Sequence, residues 1–256
     1  MSILTIRRLT HYFGGLKAVS DFNLDLEEGE LLGIIGPNGA GKTTVFNLIT
    51  GVYVPTSGQI LFNGRNLVGM PSYHIVSLGI ARTFQTIRLF KDLSVLDNVR
   101  IAFFSQVRYG PLAAMLRTPR CVAEERVIQQ RSMELLRIFQ LDRYADQLAK
   151  NLPYGEQRKL EMARALATRP RLLLLDEPAA GMNPGEAQRL MELIQWIRRQ
   201  FNLTIMLIEH QMRVVMGICE RIIAMDFGAV IAEGPPEAIQ NHPRVLEAYL
   251  GKEAAS

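Results

Sequence analysis

Cysteine is scarce in this chain: Cys121 and Cys219 are the only two in 256 residues, too few for a disulfide framework. Long apolar runs are missing as well. Stretches such as Leu172–Leu175 and Ile205–Ile208 fall far short of the ~18–20 residues that a membrane-spanning helix needs. Charge of one sign is also in short supply, with 29 Lys and Arg against 25 Asp and Glu, a net of +4. The basic pairs Arg7-Arg8, Arg158-Lys159 and Arg198-Arg199 are dispersed and not interleaved with aromatics, which argues against a nucleic-acid platform. No low-complexity tract interrupts the sequence. The start, Met1-Ser-Ile-Leu-Thr-Ile-Arg-Arg8, breaks into charge before an export signal could form, so a reducing, cytoplasmic setting is expected.

What is present is ordinary globular material: 48% apolar and 21% charged residues, enough length for one large domain or two small ones. The first sixty residues read as short strands, Leu4–Ile6, Phe22–Leu26 and Gln59–Phe62. Glu30–Ile35 is nearly all apolar, the pattern of a strand buried on both faces. From about Ser94 to Ala167 the spacing becomes helical, with Met133, Leu136 and Gln140 on one stripe and Leu135, Ile138 and Phe139 widening it. Pro111 and Pro119 divide that region into several helices. Buried-strand runs return at 171–175 and 204–208 around a helix from about Gly185 to Phe201, an order that predicts a parallel sheet with right-handed crossovers. A strand pair, Arg221–Met225 and Ala229–Ala232, precedes a tail in which Val245, Leu246, Tyr249 and Leu250 have helical spacing. The fold class is therefore α/β with an inserted helical block.

Two motifs carry chemistry. Gly36, Pro37, Asn38, Gly39, Ala40, Gly41, Lys42 and Thr43 match G-x-x-x-x-G-K-[ST], directly after the buried strand and before a helix that begins with Thr44-Val45-Phe46. A chance match in a chain of this length is about one in a hundred. Glycines let the backbone curl so that its amides point inward, and the helix adds the positive end of its dipole. Lys42 would neutralise phosphate charge, and the Thr43 hydroxyl would help hold Mg²⁺. The second motif, Arg171–Glu177, is a strand of four leucines ending in Asp176 and Glu177. It puts Asp176 at the carboxyl edge of the sheet, able to hold Mg²⁺ through water, and Glu177 where it can polarise an attacking water.

Three further strings decide among nucleotide-binding proteins. Asn151–Arg164, between the helical block and the acidic strand, resembles the signature segment of the ATP-binding cassette family. Leu152, Gly155 and Gln157 keep its pattern, while Pro153 and Tyr154 replace the usual Ser and first Gly, with Glu156 between Gly155 and Gln157. Gln85, ending Ala81-Arg-Thr-Phe-Gln, resembles the family's Q-loop glutamine, and His210 its switch histidine. Phe13, before Gly14-Gly15, is similar to the aromatic that stacks on adenine, with Tyr12 as a competitor. Gly181, Met182 and Asn183 take the D-loop place, Asn183 standing where the family usually has Asp. The resemblance covers essentially the whole chain.

The resemblance implies a P-loop cassette with an antiparallel β subdomain and an inserted helical subdomain. Residues 1–85 and 166–233 would form the core and β subdomain, 86–165 the helical subdomain and 234–256 a helical tail. ATP and Mg²⁺ are the implied cofactors. Glu177 would be general base, His210 would hold the γ-phosphate and attacking water, and Gln85, with Thr43 and Asp176, would serve Mg²⁺. Two cassettes would sandwich ATP, the signature of one meeting the nucleotide of the other. The strings Phe13–Leu16, Arg82–Phe90, Glu177–Pro184, Ile208–His210 and Pro243–Gly251 look most like the larger ATPase of branched-chain amino-acid uptake systems. That implies a second, unlike cassette or a homodimer, two membrane permease subunits, a periplasmic binding protein, a peripheral place on the cytoplasmic face of the inner membrane, and no nucleic acid. Leu89, Phe90 and Val95 would be apolar contacts for a permease helix. Urea or amide importers, lipopolysaccharide exporters and soluble cassettes acting on nucleic acid or ribosomes are the alternatives.

Overall fold

The computed structural model describes residues 2–107, 110 and 114–253; Pro111 and the tail residues 254–256 lie outside them. The chain divides into two compact units, one of residues 1–82 and 171–256 and the other of residues 83–170.

The first unit is built on two sheets. β1 (Ser2–Phe13), β2 (Leu16–Glu27), β4 (Ser57–Phe62) and β5 (Arg65–Asn66) form an antiparallel sheet in the order β2-β1-β4-β5. β1 and β2 are far longer than their alternating segments suggest. Their pairing slips between Ile6 and Leu9, where Arg8 and, across the ladder, Asp21 take left-handed φ values of 47° and 48°. Each slip resets which side chains face inward, so strict alternation survives only in pieces.

The second sheet holds β3 (Leu31–Ile35), β6 (Ile80–Arg82), β7 (Leu172–Asp176), β8 (Thr204–Ile208), β9 (Arg221–Asp226) and β10 (Ala229–Gly234) in the order β10-β9-β3-β8-β7-β6. All of its neighbours are parallel except the β9–β10 hairpin. Every residue of β3, β7 and β8 is buried, which explains their unbroken apolar runs. α1 (Lys42–Ile49) shares one core with both sheets: its Phe46 lies with Phe22 and Phe62 of the antiparallel sheet and Ile34 and Leu174 of the parallel one. Each such buried Leu, Ile or Phe stabilises the fold by about 1.5–3 kcal/mol. α2 (Ser72–Ser77) leads into β6, and α6 (Pro184–Phe201) buries the stripe Ala187, Leu190, Met191, Ile194 and Ile197. α7 (Met212–Ile218), α8 (Pro236–Gln240) and α9 (Pro243–Glu253) complete the unit.

The other unit packs α3 (Val95–Phe103) against α4 (Pro119–Ile138) and α5 (Tyr154–Ala167). Thr118 caps α4 from its hydroxyl, with Pro119 as the first helical residue. Leu135, Leu136 and Phe139 are buried, whereas Gln140 leaves the stripe: it lies past the helix, exposed, in a left-handed conformation at φ 59°. Val95, expected as an outward contact, is fully buried in this unit's interior; Phe90 is exposed, with the Arg164 guanidinium over its ring. Among the described residues no helix is long and apolar enough to cross a membrane.

Candidate functional site

β3 runs straight into the glycine loop, and the loop into α1. Gly36 and Gly41 adopt φ values of 147° and 98°, and a Cβ on either would meet a backbone oxygen, Met225 O at 2.1 Å or Ala18 O at 2.4 Å. No other residue fits those turns. Gly41 caps α1 with no side-chain hydrogen bond, so its first-turn amides are not taken by a capping side chain. The Lys42 ammonium folds back over this loop and donates to Gly36 O at 2.7 Å and Pro37 O at 2.9 Å. Around Gly39 a Cβ would find nothing within 4 Å, so the loop's outer side is open. Curled amides, a helix N-terminus and an ammonium make a cradle that fits a polyphosphate. Thr43 stands in the first turn of α1, partly exposed.

Asp176 ends β7 with no exposed surface. Burial pushes its carboxyl above the ordinary carboxylate range; the Arg82 guanidinium, donating to Oδ2 at 2.7 Å, pulls in the opposite direction. Arg82 comes from the end of β6 and also donates to Asn47 Oδ1 of α1 at 2.6 Å. A hydroxyl at Thr43 and a carboxylate at Asp176 are hard oxygen donors that fit Mg²⁺ better than a softer metal.

Glu177 sits one residue beyond the strand with φ 49°, a left-handed conformation costing on the order of 1 kcal/mol in a residue with a Cβ. Its own N–H still donates to Ile208 O, extending the β7–β8 ladder by one bond. Glu177 Oε1 and His210 Nε2 are 2.6 Å apart, so the structure brings together the two residues expected to handle the attacking water. Glu209, between Ile208 and His210, is buried, and burial raises its carboxyl; the backbone amides of Ala179 and His210 oppose that rise.

Of the positions expected to form the D-loop, Asn183 belongs to a capping box. The Asn183 side chain accepts from Glu186 N–H at 2.9 Å, and Glu186 returns the bond to Asn183 N–H at 3.0 Å, opening α6. Asn serves this cap as well as the Asp of the family pattern. Gly181 takes φ 76° and Met182 N–H donates to Ala179 O. Phe13, 43% exposed at the end of β1, meets His11 and Tyr53 edge-on with centroids at 4.6 and 5.1 Å. Tyr12 is exposed too, under the Lys17 ammonium.

Within the helical unit, Pro153 is the N-cap of α5 and makes no side-chain cap bond. Gly155, Glu156 and Gln157 form its first turn, Gln157 bonding back to Leu152 O at 2.8 Å. Tyr154, the departure from the signature pattern, has a purpose here: its hydroxyl accepts from Arg158 at 2.9 Å, and Arg158 also donates to Phe84 O at 2.6 Å and to Gln85 O. The backbone of Gln85 is thereby pinned while its side chain is exposed.

Arg82, Glu209 and Tyr249 were not singled out by motif reading. Tyr249, on α9, accepts a hydrogen bond from Gly36 N–H at 2.9 Å through its hydroxyl, tying the tail to the first residue of the glycine loop. For Arg82 and Glu209 a signal existed: a charged residue at the very end of an apolar strand.

A parallel sheet whose first buried strand turns through a glycine cradle into a helix, with acids at the tip of another strand, defines a P-loop nucleoside triphosphatase. The profile of the ABC transporter family matches residues 19–180, and that of the branched-chain amino acid ATP-binding cassette transporters matches residues 229–255. LivG of Escherichia coli K12, a high-affinity branched-chain amino acid transport ATP-binding protein, is 45% identical over 250 residues, 98% of each chain. BraF of Pseudomonas aeruginosa, of the same description, is 44% identical over 250 residues, again 98% of each. The lipopolysaccharide export system ATP-binding protein LptB of Haemophilus influenzae is more distant, 32% identical over 253 residues and 99% of each chain. Among solved structures, an ATP-binding cassette of an ABC transporter in its ADP conformation superposes with a TM-score of 0.84 at 29% identity, covering 98% of this chain and 99% of that one. A dimeric cassette in a post-hydrolysis state bound to ADP and Pi gives 0.77 at 25% identity, covering 91% and 98%. The chain belongs to the ABC transporter family as one of its ATP-binding cassettes, an ATPase whose hydrolysis is coupled to transport.

Proposed function

We propose that this cassette energises an importer of branched-chain amino acids. The observation that carries the reading is the 45% identity to LivG along 98% of both chains, joined to the match of the tail 229–255 to the branched-chain profile. In this reading the cassette pairs with a second cassette, unlike it or a copy, and binds two permease subunits on the cytoplasmic face of the membrane. A periplasmic binding protein delivers the amino acid, so no residue here touches leucine.

The residues divide the work of hydrolysis. Phe13 offers a face to adenine, with His11 and Tyr53 holding its edge. The amides of Asn38 to Thr44 and the Lys42 ammonium hold the phosphates, Lys42 exchanging its two loop carbonyls for phosphate oxygens. Thr43 and Asp176 would hold Mg²⁺, Asp176 through water, and the ion would supply charge neutralisation to the phosphates; Gln85 is proposed to serve the same ion from the helical unit's own loop. Glu177 takes a proton from the attacking water, and His210, already at hydrogen-bond distance from Glu177, orients both. Leu152 to Gln157 present the uncapped start of α5 to the nucleotide held by the other cassette, with Gly155 the closest approach, and Gly181 to Asn183 line that junction.

The test is ATPase stimulation in the membrane complex reconstituted with its permeases. Binding proteins charged with leucine, isoleucine or valine should stimulate hydrolysis. Stimulation by a urea-charged binding protein alone would overturn the amino-acid assignment.

A further inference from the structure

Glu209 is a buried acid that the proposed hydrolysis leaves without a task. β8 ends at Ile208, so Glu209 is the residue on which the chain leaves the sheet, immediately before His210. Its side chain stays inside, with 2% of its surface exposed. Oε1 accepts from the backbone N–H of Ala179 at 2.9 Å, and Oε2 from the backbone N–H of His210 at 3.2 Å. The two oxygens of one carboxylate therefore hold two different loops.

These bonds close a ring. From Glu177 the chain runs through Pro178 to Ala179; Ala179 is bonded to Glu209; Glu209 is joined to His210 covalently and by its second oxygen. His210 Nε2 returns to Glu177 Oε1 at 2.6 Å. A buried amide without a partner costs about 1–3 kcal/mol, and a carboxylate acceptor makes the stronger kind of hydrogen bond. Ala179 has no exposed surface, so water is a poor substitute for Glu209 there. An apolar residue after Ile208 would continue the strand's pattern at no desolvation cost but would leave both amides unpaired.

We propose that Glu209 is a positioning residue for ATP hydrolysis, locking the backbone of the D-loop segment at Ala179 to that of His210 so that His210 and Glu177 keep their mutual geometry. The proposal rests on the reading in which Glu177 and His210 act on the attacking water. It makes the D-loop and the switch histidine a single mechanical element: a displacement of residues 178–183 is delivered to the imidazole through one carboxylate.

The experiment compares the full chain with Glu209→Gln and Glu209→Ala. Gln keeps the shape but turns an NH₂ group toward one of the two amides, so one bond is lost; Ala loses both. Misplacing a group at the reacting centre by a fraction of an ångström to an ångström predicts a fall in kcat of about 10-fold for Gln and up to about 100-fold for Ala. KM for ATP should stay within about twofold, because no nucleotide-holding group is touched. Amide hydrogen exchange in the nucleotide-free chain should accelerate at Ala179 by about 10-fold or more, the loss expected for one charge-assisted bond. An unchanged kcat in both variants, an effect confined to KM, or wild-type exchange at Ala179 in Glu209→Ala would each overturn the proposal. Failure of the wild-type chain to hydrolyse ATP would count against the functional reading alone, and Ala179 exchange would then decide the brace by itself.

Discussion

Replacing Arg82 by Met should cost this cassette more stability than any change at its surface. The Arg82–Asp176 pair is buried on both sides, with 4% and 0% of the side-chain surface exposed and 2.7 Å between Nη2 and Oδ2. Removing one partner of such a pair leaves a carboxylate in a dry site, a change worth about 3–5 kcal/mol. At about 2–4 °C per kcal/mol for a unit of this size, the melting temperature should fall by roughly 6–20 °C. Met also forfeits the bond to Asn47 Oδ1, but that loss is common to every variant carrying it and cancels in a double-mutant cycle. The decisive comparison is therefore Arg82→Met with and without Asp176→Asn. If the penalty is an uncompensated charge, the double variant should be more stable than Arg82→Met alone, and the two single losses should fail to add by about 2 kcal/mol. Denaturant unfolding can be followed through the chain's one tryptophan, Trp196, which stands on α6 in the same compact unit as the pair. A loss below about 1 kcal/mol, the range of an exposed pair, or strict additivity of the two changes would refute the reasoning.

Tyr249→Phe removes a single oxygen, the acceptor for Gly36 N–H, and keeps the ring. It should weaken ATP binding by about 5- to 10-fold, in line with the loss of about 1 kcal/mol at one hydrogen bond, while leaving the melting temperature within a few degrees; isothermal titration with ATP measures it, and unaltered affinity refutes the link between tail and loop. The buried carboxylates Asp176, Glu161 and Glu209 are all raised, chiefly by desolvation. A raised acid binds its proton more tightly folded than unfolded, so its burial costs nothing below the unfolded value near pH 4 and a growing amount as pH climbs through the raised one. Stability of Glu209→Gln relative to wild type should accordingly improve between about pH 4 and pH 7, as read from denaturation midpoints. A difference that is flat with pH, or that runs the other way, would contradict the sign.

The readable part of the molecule was the part governed by local rules. β3, β7 and β8 are buried on both faces, so their sequences are plain apolar runs, and the glycine loop is dictated by backbone turns that only glycine makes. The lengths of β1 and β2 were hidden by bulges, and the order of the parallel sheet, with β3 between β8 and β9, is set by packing across more than 150 residues of chain. Among the site residues, Glu177 and His210 were named separately, but their bond depends on the β7–β8 ladder running one residue past the end of β7. Arg82, Glu209 and Tyr249 escaped because each acts on a residue distant in sequence: 94 positions separate Arg82 from Asp176, 30 separate Glu209 from Ala179, and 213 separate Tyr249 from Gly36. Tyr154 and Asn183 had looked like departures from a pattern; the hydroxyl bond to Arg158 and the capping box at α6 give each a local reason.

Lys42 clasps the carbonyls of Gly36 and Pro37, and so serves as an internal strut as well as a charge. In the proposed reading nucleotide would enter by swapping one set of oxygen partners for another, and the ammonium would not be stripped bare in either state. On that reading the loop's occupant is one that the chain itself provides and that would yield when phosphate arrives. An alanine at position 42 consequently removes a scaffold together with a ligand, and the emptiness it leaves would let the cradle fall inward before any nucleotide reached it.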